Sequence, residues 1–439
     1  MKTKIAINGF GRIGRNAFKI AFARPDLEIV AVNDLTDTKT LAYLLKHDSN
    51  YGTYQSEVSF DEQNLVVDGQ KIKVVAEKDP AALPWADLGV ELVIESTGRF
   101  TKKEDAELHI KAGAKRVIIS GPTKSDGVDT IVLGANEDKL ATASAVISNA
   151  SCTTNSLGAV MAVLDAEFGI EKSMLTTVHS YTASQALQDA PSKDLREGRN
   201  AAENIVPTTT GAAVAVTLTL PQLKDKFDGL SIRVPTPVVS LSDVTALLKR
   251  AVTVEEINEA FKKAAKEPFY QGILDVSEEP LVSSDYIGNS HSGIVDLLLT
   301  KVVDGNLVKV MVWYDNEWGY SNRLIELTAD TCRLLNGGDN QPKSEEPMSP
   351  AEPPISDNSS DKPAEEPKHE ELLGAPTTDD FLPPPIGQAE EPAHNASETH
   401  TAVEGVPGLE TPADTLPQQG VPAIPPDEPI AGPDKPHNF

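Results

Sequence analysis

Apolar and polar positions along the chain follow two rhythms in turn. "KIAING" (4–9) is a short apolar run of the kind buried on both faces of a sheet. "GRIGRNAFKIAFA" (11–23) follows it with Ile13, Ala17, Phe18 and Ile20 on one side of a helix, and "EIVAVND" (28–34) returns as a strand. Further β-branched runs stand at 71–76, 91–97, 116–120, 130–135 and 145–148. Strands separated by helical stretches predict a mainly parallel sheet covered on both faces.

Past residue 152 the rhythm changes. A helix runs through Leu157, Val160, Met161, Leu164 and Phe168 and stops at Gly169. Long strand patterns then dominate, at 173–182, 230–248, 293–303 and 307–316, with one amphipathic helix at 251–266. This reads as an α+β domain on a mainly antiparallel sheet. The helical pattern at 319–338 closes the body and is expected to return to the first domain. The expected division is therefore 1–151 with 317–336, then 152–316, then a tail at 337–439.

Composition separates that tail from the rest. It holds 21 of the 32 prolines, with about 21 acidic and four basic residues and little apolar content. Such a segment buries too little surface to offset its ordering entropy, so it is expected to be disordered and partly polyproline-like. A spacer or solubilising role suits it better than a peptide-ligand role, because its Pro-rich segments lack flanking basic residues.

The whole chain, 439 residues with a formal charge of −27, is too acidic for nucleic acid or an anionic membrane to be its main partner. Two cysteines, Cys152 and Cys332, make no disulfide framework and no metal-binding pair. The start lacks a signal peptide's apolar stretch, and no apolar run is long enough to span a bilayer. A soluble cytoplasmic protein is expected.

Chemistry concentrates in a few stretches. Gly9, Gly11 and Gly14 form GxGxxG where a strand ends and a helix opens, and Asp34 stands 20 residues beyond the last glycine at the end of the next strand. In that context the motif predicts a dinucleotide site: backbone N–H groups approach the pyrophosphate and the carboxylate takes the ribose hydroxyls. Asp34 would repel a 2′-phosphate, so NAD is favoured over NADP. Ser96, Thr97, Gly98 and Ser120, at the ends of later strands, lie where the rest of the cofactor would run.

The second stretch is "SNASCTTNS" (148–156). With Ser151 as cap, Cys152 falls in the first turn of a helix, where the dipole favours a thiolate. His179, in a strand 27 residues later, completes the smallest set for an activated sulfur nucleophile. Spacing alone does not bring the two together, and each has a purely structural reading. Thr153, Thr182, Arg196, Arg199, Thr210, Gly211 and Arg233 are scattered anion-binding candidates. Of these, Arg233 is the most pointed, because an Arg in an apolar strand needs a partner.

"INGFGRIGR", "SNASCTTNS", "TTVHSYTASQ", "NIVPTTTGAA", "RVPTPVVSLSD" and "WYDNEWGYSNR" together resemble the phosphorylating glyceraldehyde-3-phosphate dehydrogenase family, over roughly residues 1–336. The resemblance implies a Rossmann-type NAD-binding domain beside a catalytic domain. It implies oxidation of glyceraldehyde 3-phosphate with NAD and inorganic phosphate to 1,3-bisphosphoglycerate. Cys152 would be the nucleophile, passing through a hemithioacetal and a thioester. His179 would stabilise the thiolate and take the hydroxyl proton.

By the same resemblance Thr182 and Arg233 would hold the C3 phosphate, while Ser151, Thr153, Thr210 and Gly211 would hold the attacking phosphate. Asn316 would bind the nicotinamide carboxamide with Tyr320 in support, and Arg12 and Ile13 would meet the pyrophosphate. Residues 181–206 match a loop that lines a neighbour's cofactor site, so a homotetramer is implied. Three departures stand out: Ser156 where many members have a second cysteine, Val214 where the family usually has lysine, and the tail. Erythrose-4-phosphate dehydrogenase shares nearly all these motifs and is the nearest rival. A scaffold acting through the tail is the rival of a different class.

Overall fold

The computed structural model describes residues 2–338. Apart from Gly337 and Gly338, the expected disordered tail lies outside the described residues. Among those described, nine strands form one sheet and seven another.

The first sheet is centred on β1 (Thr3–Asn8), which pairs in parallel with β2 (Leu27–Asn33) on one side and β3 (Leu92–Glu95) on the other. β3 in turn pairs in parallel with β4 (Arg116–Ile119). The apolar residues of β1 and β3 are buried throughout, which is why they read as continuous apolar runs rather than alternating ones. Helix α1 (Arg12–Phe22) follows β1 and buries Ala17, Phe18 and Ile20. Phe18 sits between Phe10 and Phe22, with ring centroids 5.5 and 5.6 Å apart. The far edge departs from a purely parallel plan, because strands Val58–Phe60 and Asn64–Val67 join it antiparallel. Strand order reverses between β2 and β3 around β1, so a crevice opens at the carboxyl ends of β1 and β3, the place where such sheets bind ligands.

The second sheet takes shape around β5 (Ile170–Ser180), which follows helix α2 (Cys152–Phe168). β5 lies between β6 (Phe227–Val234), parallel to it, and β7 (Ser240–Leu248), antiparallel to it. β7 pairs antiparallel with β8 (Leu307–Tyr314). Burial along β7 alternates residue by residue, the mark of a sheet with one face on the core. The strand pattern expected as one run at 230–248 is two strands on opposite flanks of β5. Pro235 and Pro237, which cannot donate to a ladder, fall in the break between them. Helix α3 (Ala212–Thr219) and α2 pack on the sheet, and α4 (Trp318–Leu335) returns to α1 and β3.

Candidate active site

The turn before α2 is built by its own polar residues. Ala150 follows the strand Val146–Ser148 with φ +54, the left-handed region a β-carbon disfavours. Tyr320 of α4 donates its hydroxyl to the Ala150 carbonyl at 3.1 Å, and Ala150 N–H donates to Ser148 Oγ at 3.0 Å. Asn155 Nδ2 reaches back to the carbonyls of Asn149 and Ser151. Ser151 Oγ accepts from Thr154 N–H at 3.1 Å, so Ser151 caps the helix and Cys152 is its first residue.

The parallel register of β5 and β6 sets His179 directly beside Arg233. Cys152 Sγ is 3.4 Å from His179 Nε2, so the pair that spacing left open meets in space. On the other side of the ring, Nδ1 is 2.7 Å from the Ser180 carbonyl. A carbonyl only accepts, whereas the Arg233 guanidinium that also approaches Nδ1 only donates, so the two contacts call for opposite tautomers of the ring, and with either one Nε2 faces the sulfur. Arg233 Nη1 lies 2.6 Å from Nδ1 and donates to the same carbonyl at 3.2 Å.

Charge in this pocket is governed by burial. Burial pushes the Cys152 thiol above its ordinary value, against the downward pull of the Arg233 cation and of hydrogen bonds from Thr153. The thiolate-favouring helix terminus is therefore opposed by desolvation. Burial, and after it Arg233, pushes His179 down to about 3, while its bond to Ser180 pulls the other way. Burial thus favours the uncharged thiol and imidazole.

Tyr314 belongs to this cluster although its position in "WYDN" passed unremarked in the sequence. Its hydroxyl sits 2.9 Å from Thr153 Oγ1 and 2.8 Å from Thr177 Oγ1, and its ring meets His179 edge-on. An aromatic two places before a candidate cofactor contact was the available signal. Ser156 is buried, with Oγ donating to the Thr153 carbonyl at 3.0 Å.

The anion-binding candidates divide. Thr182 lies just past β5 and hydrogen-bonds Ser184. Thr210 and Gly211 open α3, whose cap residue Gly211 contributes no side-chain bond. Arg196 and Arg199 are exposed on the 181–206 loop, where Arg199 pairs with Asp189 at 3.0 Å. Neither hydrogen-bonds to Cys152, His179 or Arg233 among the described residues. Val214 is exposed on α3.

On the dinucleotide side, Gly9 ends β1 at φ +93, and a β-carbon there would sit 2.6 Å from Thr97 N. Only glycine allows the turns after β1 and β3 to come so close. Ser96 Oγ donates to the Gly9 carbonyl at 2.8 Å, and Ser120 N–H to the Glu95 carbonyl. A β-carbon on Gly14 would fall 2.1 Å from the Gly9 carbonyl oxygen. No side chain caps α1 at Gly11, which leaves the N–H groups of its first turn, including Arg12 and Ile13, to a ligand. The Arg12 side chain faces elsewhere, bonding Glu317 and Asp48. Asp34 Oδ2 accepts from Phe10 N–H at 2.9 Å, which fixes the carboxylate beside the glycine turn. Gly98 follows in the left-handed region. This crevice, with its uncapped helix and tethered carboxylate, fits NAD.

Beneath it lies a buried network that the sequence did not suggest. Glu95 accepts from Asn8 Nδ2, from the Thr97 backbone and hydroxyl, and from His109 Nε2 at 3.1 Å. Trp85 Nε1 donates to His109 Nδ1. Asn316, just past β8, accepts through Oδ1 from Ser240 Oγ at 3.0 Å.

Two family models match this chain: the glyceraldehyde 3-phosphate dehydrogenase NAD binding domain over residues 3–103 and its C-terminal domain over residues 151–316. A glyceraldehyde-3-phosphate dehydrogenase of Geobacillus stearothermophilus is 58% identical over 330 residues, 75% of this chain and 98% of that one. One from Bacillus subtilis is 57% identical over the same shares. One from Thermotoga maritima is 55% identical over 76% of this chain and 98% of its own length. The chain belongs to the glyceraldehyde-3-phosphate dehydrogenase family.

Proposed function

We infer that the chain is an NAD-dependent, phosphorylating dehydrogenase that converts D-glyceraldehyde 3-phosphate and inorganic phosphate to 1,3-bisphosphoglycerate. The observation that carries this reading is the Cys152–His179 pair, 3.4 Å apart at a helix terminus, in a chain that also builds a dinucleotide crevice. When bound, NAD supplies the hydride acceptor.

Cys152 sulfur attacks the aldehyde carbon, the carbonyl oxygen takes up a proton, and a hemithioacetal forms. Backbone N–H groups at the start of α2 face the developing oxyanion. His179 Nε2 then takes the hydroxyl proton as the carbon is oxidised to the thioester. Phosphate oxygen attacks that carbonyl, the carbon–sulfur bond breaks, and Cys152 leaves as thiolate. Thr182 and Arg233 hold the C3 phosphate in this reading. Ser151, Thr153, Thr210 and Gly211 hold the attacking one, and Arg196 and Arg199 add positive charge at the rim. Val214 withholds a further cation.

Gly9, Gly11, Arg12, Ile13, Gly14, Asp34, Ser96, Thr97, Gly98 and Ser120 hold the cofactor, and Asn316 orients its carboxamide. In this reading 1–151 with 317–336 forms the cofactor domain and 152–316 the catalytic one. The subunit assembles as a homotetramer, a proposal supported by exposed Leu187, Leu195 and Ile205 on the 181–206 loop. A cytoplasmic setting suits two unpaired cysteines. No helix among the described residues is long and apolar enough to cross a membrane.

The test is NADH formation from glyceraldehyde 3-phosphate and NAD, with and without phosphate, beside Cys152→Ser. Phosphate-dependent turnover that vanishes in the variant supports the reading. Turnover indifferent to phosphate would point to thioester hydrolysis and to erythrose 4-phosphate.

A further inference from the structure

Ser240 sits where three segments of the catalytic sheet converge. It is the first residue of β7, paired with Tyr314 of β8, and its neighbour Leu241 pairs with Val178 of β5. Its hydroxyl is buried and makes two hydrogen bonds. It accepts the backbone N–H of Ser180 at 3.2 Å and reaches Asn316 Oδ1 at 3.0 Å. A hydroxyl carries one proton, and a backbone N–H only donates. The Ser180 contact leaves the proton of Ser240 free, and the Asn316 atom placed to receive it is the carbonyl oxygen. Asn316 Nδ2 is left with no partner among the described residues.

The preceding residue explains why the arrangement holds. Val239 is β-branched, buried, and fixed at φ +72, a region such residues avoid. Its carbonyl accepts from Ser180 Oγ at 2.6 Å. Ser180 thus grips the Val239–Ser240 turn at both the carbonyl and the hydroxyl, and Ser180 is the residue after His179.

We propose that Ser240 is a positioning residue that fixes the Asn316 amide with Nδ2 outward, so that the cofactor's carboxamide is recognised through its carbonyl oxygen. Because the same hydroxyl is anchored on Ser180, the orientation of Asn316 is tied to the strand end that carries His179. The inference rests on the reading that Asn316 meets the nicotinamide.

Equilibrium binding of NAD and two analogues to the full chain, followed by fluorescence quenching, tests it. The 3-acetylpyridine analogue keeps the carbonyl and loses the amino group, whereas the thionicotinamide analogue replaces the carbonyl oxygen with a poorer acceptor. Unsubstituted protein is expected to bind the acetyl analogue within about threefold of NAD and the thio analogue about tenfold more weakly, the worth of one good hydrogen bond. The reverse order means that Asn316 presents oxygen, and overturns the proposal without any variant having to fold. Asn316→Ala is expected to erase the discrimination; if it does not, the reading of Asn316 itself fails and the inference with it. Ser240→Ala is expected to erase it too, with no further loss in the double variant. Discrimination lost in Asn316→Ala but intact in Ser240→Ala would sink the role of Ser240 alone.

Discussion

His179 Nε2 lies 3.4 Å from Cys152 Sγ, and the far nitrogen of the ring sits 2.7 Å from the Ser180 carbonyl. The ring is thus held with Nε2 toward the sulfur, the geometry the proposed base needs. Replacing it with asparagine keeps a polar group of similar reach but removes the basic nitrogen. His179→Asn is expected to slow the first turnover of NADH formation by about 10²–10⁴-fold, the usual worth of a positioned general base. Rapid-mixing measurement of the burst decides this, because it reports the oxidation step apart from product release. A burst at the unsubstituted rate would remove His179 from proton transfer.

Besides the phosphate contact proposed for it, Arg233 acts on charge in the pocket. Its cation pulls both the Cys152 thiol and the His179 imidazole downward, although burial is the larger influence on each. Removing it should let both groups titrate at higher pH. Alkylation of Cys152 by iodoacetamide, a neutral probe that needs no phosphate site, reads the thiolate directly. In Arg233→Ala the pH–rate profile is expected to move to higher pH and the rate near neutrality to fall. Arg233→Lys should restore part of the shift, since it keeps the charge while losing the fork geometry. A profile unmoved in both variants would leave Arg233 no electrostatic role at the sulfur.

Asp34 is pinned by two backbone donors, Phe10 N–H on one oxygen and Thr36 N–H at 3.0 Å on the other. It cannot swing away from a 2′-phosphate. Two like charges a few ångströms apart near a surface repel by roughly 1–4 kcal/mol. That translates to a preference for NAD over NADP of about 5- to 10³-fold from this residue. Asp34→Asn, which keeps the shape, is expected to narrow the ratio of kcat/KM values by at least about fivefold. An unchanged ratio would place cofactor choice elsewhere in the crevice.

Much of this fold was legible because its strands and helices have distinct periods. The run at 4–9, the glycine turn and the helix after it declared themselves together, and Asp34 fell at the expected strand end. Local capping was equally readable: Ser151 caps the helix that Cys152 begins. What stayed hidden depends on pairing across distance. His179 and Arg233 are 54 residues apart and meet only through the parallel register of two strands. Tyr314, Ser240 and the Glu95–His109 network are polar side chains inside apolar strands and helices, where periodicity marks them as exceptions without naming their partners. The 230–248 run misled because its two halves share a composition and only Pro235 and Pro237 separate them.

The 181–206 loop offers the last prediction. Leu187, Leu195 and Ile205 are 71%, 83% and 70% exposed. Three large apolar side chains on one connecting segment are more than scattered exposure explains, and such patches mark contact surfaces. Burying a leucine at an interface stabilises it by about 1.5–3 kcal/mol. In an isologous contact every residue occurs twice, so a change at Leu195 counts double, about 3–6 kcal/mol per interface. Leu195→Asp, which also buries a charge, is expected to weaken assembly by at least about 10²-fold while leaving the fold of each subunit intact. Sedimentation velocity at micromolar concentration would show smaller species in place of the proposed tetramer, with an unchanged far-ultraviolet dichroism spectrum. If the variant still sediments as a tetramer at nanomolar concentration, this loop is not part of the contact that holds the assembly together.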